Sequence, residues 1–387
     1  MRVLIDYRSA LRSRSGAGEY AHNLARALVA RSHRTANDPI DLSLFSSSWK
    51  DRLSPDILAG TRTIDRRVPV SLLNFAWHRM EWPPVELLAG GSFDVAHSLH
   101  PLLIPARRAA QVVTIFDLNF LAHPERTRSE VRRDYPALTR QHAHRADRII
   151  VASRFTASEV ERLLEVPADR ISVCPAGAPD WTPRTSVPAM GYVLFLGTLE
   201  PRKNLGTLLD AYERLLATWA PAGGGSTNGV PDLILAGRAI PESRPWLDRL
   251  ARPPLAGHAR HVGYVKDEHL QTLYEGACLL VQPSFEEGFG IPVLEAMTLG
   301  IPVVAANRGS LPEVLGDTGV LVDPDDSGGM AEAMRRLASD AGMAAACASA
   351  GRTRSRAFQW TETADRVAEA YHLAVERRAR RPRGRPA

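Results

Sequence analysis

What most limits the folding of this chain is an alternation of short β-rich runs with helical apolar spacing, which halts once and resumes. Residues 2–5, Arg-Val-Leu-Ile, are the first β-rich run; a loop ending in Ser15-Gly-Ala-Gly18 follows, then helical spacing from Glu19 to about residue 30. Further strand-like runs stand at 40–45, 93–97, 111–116, 148–152 and 171–175. Pro175, Pro179, Pro183 and Pro188 then interrupt the pattern and mark an interdomain linker. From Tyr192 it restarts, with strands at 193–196, 233–236, 262–264, 279–282, 302–305 and 320–322 and helices at 205–218, 267–275 and 292–299. Strand and helix in repeated succession predict parallel sheets covered by helices, so each half reads as an α/β domain. The stretch Pro221-Ala-Gly-Gly-Gly-Ser-Thr-Asn-Gly229 has loop composition and predicts a mobile surface excursion. A last helical stretch from Thr361 to about residue 377 puts Val367, Ala370, Tyr371 and Ala374 on one face.

Length agrees with this division: 387 residues, at about 100–200 per domain, make two or three domains. With 44% hydrophobic and 24% charged residues, neither a disordered chain nor a membrane bundle fits. Cys174, Cys278 and Cys347 lie far apart without paired spacing, which argues against a disulfide framework or a cysteine zinc site and predicts a reducing, cytoplasmic compartment. Only Val3, Leu4 and Ile5 run together before Asp6, far short of an export signal or a span of about 20 residues. Net charge is +5, but six arginines lie between Arg377 and Arg385, and without them the balance is −1. Pro382, Gly384 and Pro386 break any helix there, so the end reads as a flexible basic tail: a solvated appendage or a contact with anionic lipid on the inner membrane face.

Two clusters carry chemistry. The first is Gln282-Pro-Ser-Phe-Glu-Glu-Gly-Phe-Gly-Ile-Pro-Val-Leu-Glu-Ala-Met297, a strand end, a glycine-rich turn and a helix with proline in its first turn. Amides at such a helix start favour an anion such as a phosphate, and Gly288 and Gly290 allow close backbone approach. Glu287 and Glu295 either face one ligand cleft or are solvated charges. The second cluster is Gly197-Thr-Leu-Glu-Pro-Arg-Lys-Asn204, directly after a strand, where residues of an open α/β sheet project into the ligand crevice. Arg202 and Lys203 suit a diphosphate, one as a fork and one as a point charge.

Together the two clusters resemble the carboxyl-terminal domain of retaining GT-B glycosyltransferases of family 4, also called glycosyl transferases group 1. The opening strand with Gly16-Ala-Gly18, Val113-Thr-Ile-Phe-Asp117, Gly309-Ser-Leu-Pro-Glu313 and Phe358-Gln-Trp360 are similar to that family as well, so the resemblance covers nearly the whole chain. It is nearest to the mannosyltransferase-B-like branch. The resemblance implies two doubly wound Rossmann-like domains facing across a cleft: 1–177 on the acceptor side, a linker at 178–190, a nucleotide-sugar domain at 191–356, a helix at 357–376 returning to the first domain, and the tail at 377–387. It implies Arg202 and Lys203 on the donor diphosphate, Glu287 near the donor sugar, Glu295 on the nucleotide ribose, and the backbone of Gly288, Phe289 and Gly290 against sugar and phosphate. Glu287, Arg202 and Lys203 are thus the catalytic candidates, with Gly16, Gly18, Gly197 and Thr198 completing the donor set. The implied reaction moves a hexosyl group, with mannose from GDP-mannose preferred and UDP-sugars open, to a glycan or lipid-linked glycan. It needs no cofactor beyond the sugar nucleotide and no metal.

The chain departs from the family where many members carry a histidine before the first-domain aspartate; here that position is Phe116, with Asp117 retained. His97 and His100, after the strand at 93–97, are candidates for the same acceptor or sugar side, or are structural loop histidines. The tryptophans of Asn74-Phe-Ala-Trp-His-Arg-Met-Glu-Trp82 read as packing, with an acceptor-lining or membrane-facing surface as alternatives. Gly16-x-Gly18-x-x-Ala21 fits the dinucleotide fingerprint of an NAD oxidoreductase, but nine residues separate it from Asp6, too many for that tight turn. Its amides remain candidates for phosphate or sugar. Asp323-Pro-Asp325 reads as a turn cap rather than a metal site. A non-catalytic sugar-binding protein is the remaining rival. Nucleic acid is not expected, since no aromatic-basic repeat occurs.

Overall fold

The computed structural model describes residues 1–12, 16–124, 135–188, 191–219 and 229–381. It divides into two compact units: Met1–Gly177 with the segment from Gln359, and Ala178–Phe358. Most of the loop 221–229, part of the linker and the tail beyond 381 lie outside the described residues.

The first unit holds a seven-stranded parallel sheet. Its strands are β1 (Arg2–Asp6), β2 (Asp41–Ser47), β3 (Arg62–Arg66), β4 (Val95–Ser98), β5 (Ala110–Ile115), β6 (Arg148–Val151) and β7 (Ile171–Val173), in spatial order β3-β2-β1-β4-β5-β6-β7. The second holds six parallel strands, β8 (Tyr192–Leu196), β9 (Leu233–Ala236), β10 (Ala259–Gly263), β11 (Ala277–Gln282), β12 (Val303–Ala306) and β13 (Val320–Val322), in order β10-β9-β8-β11-β12-β13. Central strands such as Leu-Ile-Leu-Ala and Val-Val-Ala-Ala are apolar throughout because helices cover both faces. In each sheet the winding reverses once, between β1 and β4 and between β8 and β11. Ligands of open α/β sheets bind outside the carboxyl ends of the strands at such a reversal.

The structure adds elements that periodicity does not reveal. Edge strand β3, Arg-Thr-Ile-Asp-Arg, buries only Ile64, so its apolar signal is a single residue. Edge strand β10 starts at Ala259, three residues before the expected run, and Val262 and Tyr264 are exposed. Helices Ser327–Ser339 and Ala341–Ser355 complete the second unit. The last helix, Trp360–Arg380, runs three residues past its expected end and lies against helix Ala17–Arg34, where Asp365 pairs with Arg31 at 3.0 Å and Arg34 at 2.8 Å. Gly177 permits its close approach, since a Cβ there would sit 2.4 Å from the Trp360 nitrogen. The expected flexible tail is corrected at its start: Arg378 donates to the Arg107 carbonyl and Arg381 pairs with Asp147 at 3.2 Å, so the basic run is anchored through 381.

Candidate active site

Both sequence clusters emerge at the reversal point of the second unit, one after β8 and one after β11. Gly237, with φ +139°, lets the β9 end pass against the first of these loops; a Cβ there would lie 1.9 Å from the Gly197 carbonyl oxygen. Residues Pro201–Lys203 then form one tight turn, and Asn204 takes a left-handed conformation at the start of helix Leu205–Thr218. Its side-chain amide donates to the carbonyls of Pro283 (3.1 Å) and Pro324 (2.7 Å), pinning the basic loop to the loop after β11. The Phe285 N–H donates to the Arg202 carbonyl at 2.9 Å and makes a second tie.

These ties bring Lys203 and Glu287 together. The Lys203 ammonium lies 2.6 Å from Glu287 Oε1, which also accepts from Gln282 (2.7 Å) and Ser284 (2.8 Å). Arg202 stands 3.6 Å from the other carboxylate oxygen and pairs with Glu200 at 2.7 Å. Burial alone would raise the Glu287 carboxyl; the charges of Lys203 and Arg202 and the hydrogen bonds from Lys203 and Ser284 outweigh it and hold it at about 2. Ser310 fixes the backbone, donating to the Glu287 carbonyl through its N–H (3.1 Å) and hydroxyl (2.8 Å). Gly309, at φ +63°, allows this, because a Cβ would meet the Glu287 nitrogen at 2.9 Å.

Beyond the glycine turn, Gly290 (φ +99°) opens helix Ile291–Leu299, and Phe289 packs edge-on against Phe358 at 5.8 Å. Glu295, one turn into that helix, is buried and accepts from the Tyr274 hydroxyl at 2.6 Å. The two glutamates therefore have separate supports, Lys203 for one and Tyr274 for the other.

At the reversal point of the first unit, Asp6 ends β1. It is buried and paired with Arg8 at 2.6 Å, and His100 after β4 approaches it at 3.7 Å. Burial would raise the Asp6 carboxyl, but Arg8 and His100 hold it well below the usual carboxylate range. The Leu102 N–H donates to His100 Nδ1 at 3.2 Å, leaving Nε2–H toward Asp6.

The sequence profile described as Glycosyl transferases group 1 matches residues 191–340, and that of Glycosyltransferase Family 4 matches residues 14–180. The O-antigen chain mannosyltransferase B of Escherichia coli is 33% identical over 282 residues, 70% of this chain and 72% of that protein. The chain belongs to the glycosyl transferases group 1. Sucrose-phosphate synthase of Thermosynechococcus elongatus superposes on this glycosyltransferase with a TM-score of 0.75 at 20% identity, over 96% of this chain and 98% of that one. HepE of Anabaena, in complex with UDP and glucose, gives 0.70 at 20% identity over 95% and 98%. These likenesses show the GT-B fold.

Of the residues singled out in this glycosyltransferase, Arg202, Lys203 and Glu287 converge. Gly197 and Thr198 head their loop, and Glu295 stands apart on its helix. Gly16 is exposed at the start of helix Ala17–Arg34, which buries Gly18, while residues 13–15 lie outside the described set. Asp117 accepts from the Asn119 N–H at 3.3 Å, and Phe116 packs edge-on against Tyr20 at 5.2 Å. His97 is a correction. Its ring is fully buried, with Nδ1 bonded to the Tyr371 hydroxyl and Nε2 to that of Thr114, both at 2.8 Å. Burial pushes it down to about 3, so it is a neutral core group that ties the last helix to the sheet and has no face for a substrate. Asp323 accepts the Asp325 N–H at 3.0 Å, as a turn cap does. Sequence reasoning missed Asp6, Arg8, Tyr274 and Ser310. An acid at the carboxyl end of the first strand is the signal that could have found Asp6; Tyr274 has none, being one apolar position of a helix.

Proposed function

We propose that this glycosyltransferase moves a mannosyl group from GDP-mannose, with retention of configuration and without a bound metal, to a glycan or lipid-linked glycan in cell-surface polysaccharide synthesis, on the cytoplasmic side. The observation that carries the donor site is positional: the Arg202–Lys203 loop and the glycine turn before helix Ile291–Leu299 leave the two strands that flank the reversal of one sheet. There a fork, an ammonium and helix-start amides meet, the set that stabilises charge growing on a departing diphosphate. The choice of mannose is supported by the likeness to the O-antigen chain mannosyltransferase B.

In this reading the sugar–phosphate bond breaks as Arg202 and Lys203 take up charge on the diphosphate. An acceptor hydroxyl bonds to the anomeric carbon from the same face, and its proton passes to a diphosphate oxygen. Such a route asks nothing of the position held by Phe116. Glu287 holds Lys203 in place near the donor sugar, Glu295 bonds the ribose, and Asp6, Arg8 and His100 belong to the acceptor side of the first unit. A UDP-sugar is the second reading, favoured by the UDP and glucose bound in the Anabaena protein.

Calorimetry of the purified protein with GDP-mannose, UDP-glucose, ADP-glucose and NAD tests the donor. Tight binding of GDP-mannose alone, lost in Lys203→Ala, is expected, with GDP released on adding acceptor glycan. Selection of a UDP-sugar would replace the donor. Binding of NAD or of free sugar alone would overturn the transferase reading.

A further inference from the structure

Gln282 ends β11 and is fully buried. Along a strand, residues two apart share a face, and Leu280 on that face belongs to the core. An apolar side chain is what packing asks of position 282, because an amide taken out of water costs free energy unless it is bonded. The bonds that this side chain makes run one way. Its Nε2 donates to Glu287 Oε1 at 2.7 Å and to Ser284 Oγ at 3.1 Å, while its own carbonyl oxygen, also buried, meets no donor among the described residues. The amide is therefore oriented by the carboxylate and not by the core.

Ser284 repeats the arrangement two positions on. It is fully buried, and its hydroxyl accepts from Gln282 and donates to Glu287 Oε1 at 2.8 Å. Its backbone is tied on both sides, since Asn204 holds the Pro283 carbonyl and the Phe285 N–H donates to the Arg202 carbonyl. With the Lys203 ammonium at 2.6 Å, three side chains donate to Oε1. A carboxylate oxygen offers about two lone-pair sites, so this one is full. Oε2 accepts no hydrogen bond among the described residues; the Arg202 guanidinium, 3.6 Å away, gives it opposite charge without a bond. A carboxylate held by Lys203 alone could turn about its last torsion, which is broad and roughly two-fold, and exchange its oxygens. Two further donors on fixed backbone prevent that exchange.

We propose, on the reading that Glu287 stands beside the donor sugar, that Gln282 and Ser284 are positioning residues for the transfer: with Lys203 they fill Oε1 and leave Oε2 as the carboxylate oxygen that accepts from a hydroxyl of that sugar. Neither residue touches the reacting atoms. Both act through Glu287, and the diphosphate is left to Arg202 and the remaining Lys203 donors.

The test is the affinity that a sugar adds to its nucleotide, measured by calorimetry on the full chain with GDP-mannose against GDP, UDP-glucose against UDP and ADP-glucose against ADP. The wild type should bind one of these sugar nucleotides more tightly than the bare nucleotide. Ser284→Ala and Gln282→Met should each bind that bare nucleotide as the wild type does and lose the increment added by the sugar, and turnover at saturating donor should fall about tenfold to a hundredfold. A loop merely loosened would weaken nucleotide and sugar nucleotide alike, because Lys203 belongs to the same network, so that pattern in the folded variants would overturn the proposal. So would a wild-type increment and turnover in either variant, or a wild type to which the sugar adds nothing. Melting temperature establishes folding, and if Gln282→Met does not fold, Ser284→Ala decides. A wild type that binds none of the nucleotides would overturn the donor reading itself, an outcome distinct from bound nucleotide with an unchanged sugar increment in the variants.

Discussion

Lys203 and Glu287 lie 84 positions apart yet meet at 2.6 Å, ammonium to carboxylate, each less than a tenth exposed. Removing one partner of such a pair leaves the other charge buried without compensation, which costs about 3 kcal/mol or more. Glu287→Ala should therefore lower the urea midpoint of the second unit and impair transfer more than it weakens nucleotide binding. Both are measured on one preparation, by denaturation and by kinetics against calorimetry. An unchanged transfer rate would remove Glu287 from the catalytic set.

Arg202 and Lys203 differ in burial but share a predicted ligand. Arg202 reaches solvent and can turn its fork to a diphosphate, whereas Lys203 offers donors beyond the one given to Glu287. Each alanine substitution should weaken sugar-nucleotide binding and lower turnover by about tenfold or more. Wild-type kinetics in either variant would end the diphosphate assignment.

The convergence of the candidate residues was legible because they sit in two contiguous motifs, and the sheet brings both to one place by topology alone. Partners supplied from elsewhere were not legible. Tyr274 reaches Glu295 from a helix whose spacing speaks only of burial, and Ser310 reaches Glu287 from a third loop. His97 shows the opposite failure: a histidine at a strand end reads alike whether its ring meets substrate or core, and only Tyr371, 274 positions away, settles which. In the fold, long apolar strands announced themselves. Edge strand β3, with one buried residue, did not, nor did helix Ala341–Ser355, whose buried residues are the small Ala348, Gly351 and Ser355.

Tyr274 supports Glu295 and touches nothing assigned to the reacting atoms. Tyr274→Phe keeps the ring and removes the hydroxyl that donates at 2.6 Å, which should cost about 1–2 kcal/mol of stability. With Glu295 on the ribose, KM for the sugar nucleotide should rise several-fold while kcat changes little. A fall in kcat at unchanged KM would place Glu295 at the sugar instead.

Acid should attack the two units in different ranges. In the first unit burial pushes His97 and His78 down to about 3, the latter with help from the charges of His100 and His142, and pushes His142 to about 4 with help from Arg145. The unfolded chain, with ordinary imidazoles near 6.5, then binds more protons than the folded one, so stability present above 6.5 is lost as pH falls toward those values. Glu287 contributes stability above its ordinary 4.5 that is lost only as pH falls toward about 2. Between about pH 6.5 and pH 5 the first unit should loosen while the Lys203–Glu287 pair holds. Hydrogen exchange resolved by peptide would show faster exchange in β4 and β5 than in β8 and β11 on acidification. His97→Gln removes one titrating ring from that balance and should flatten the acid response of β4 and β5. The same response in the variant and the wild type would show that the buried imidazole is not the group that titrates.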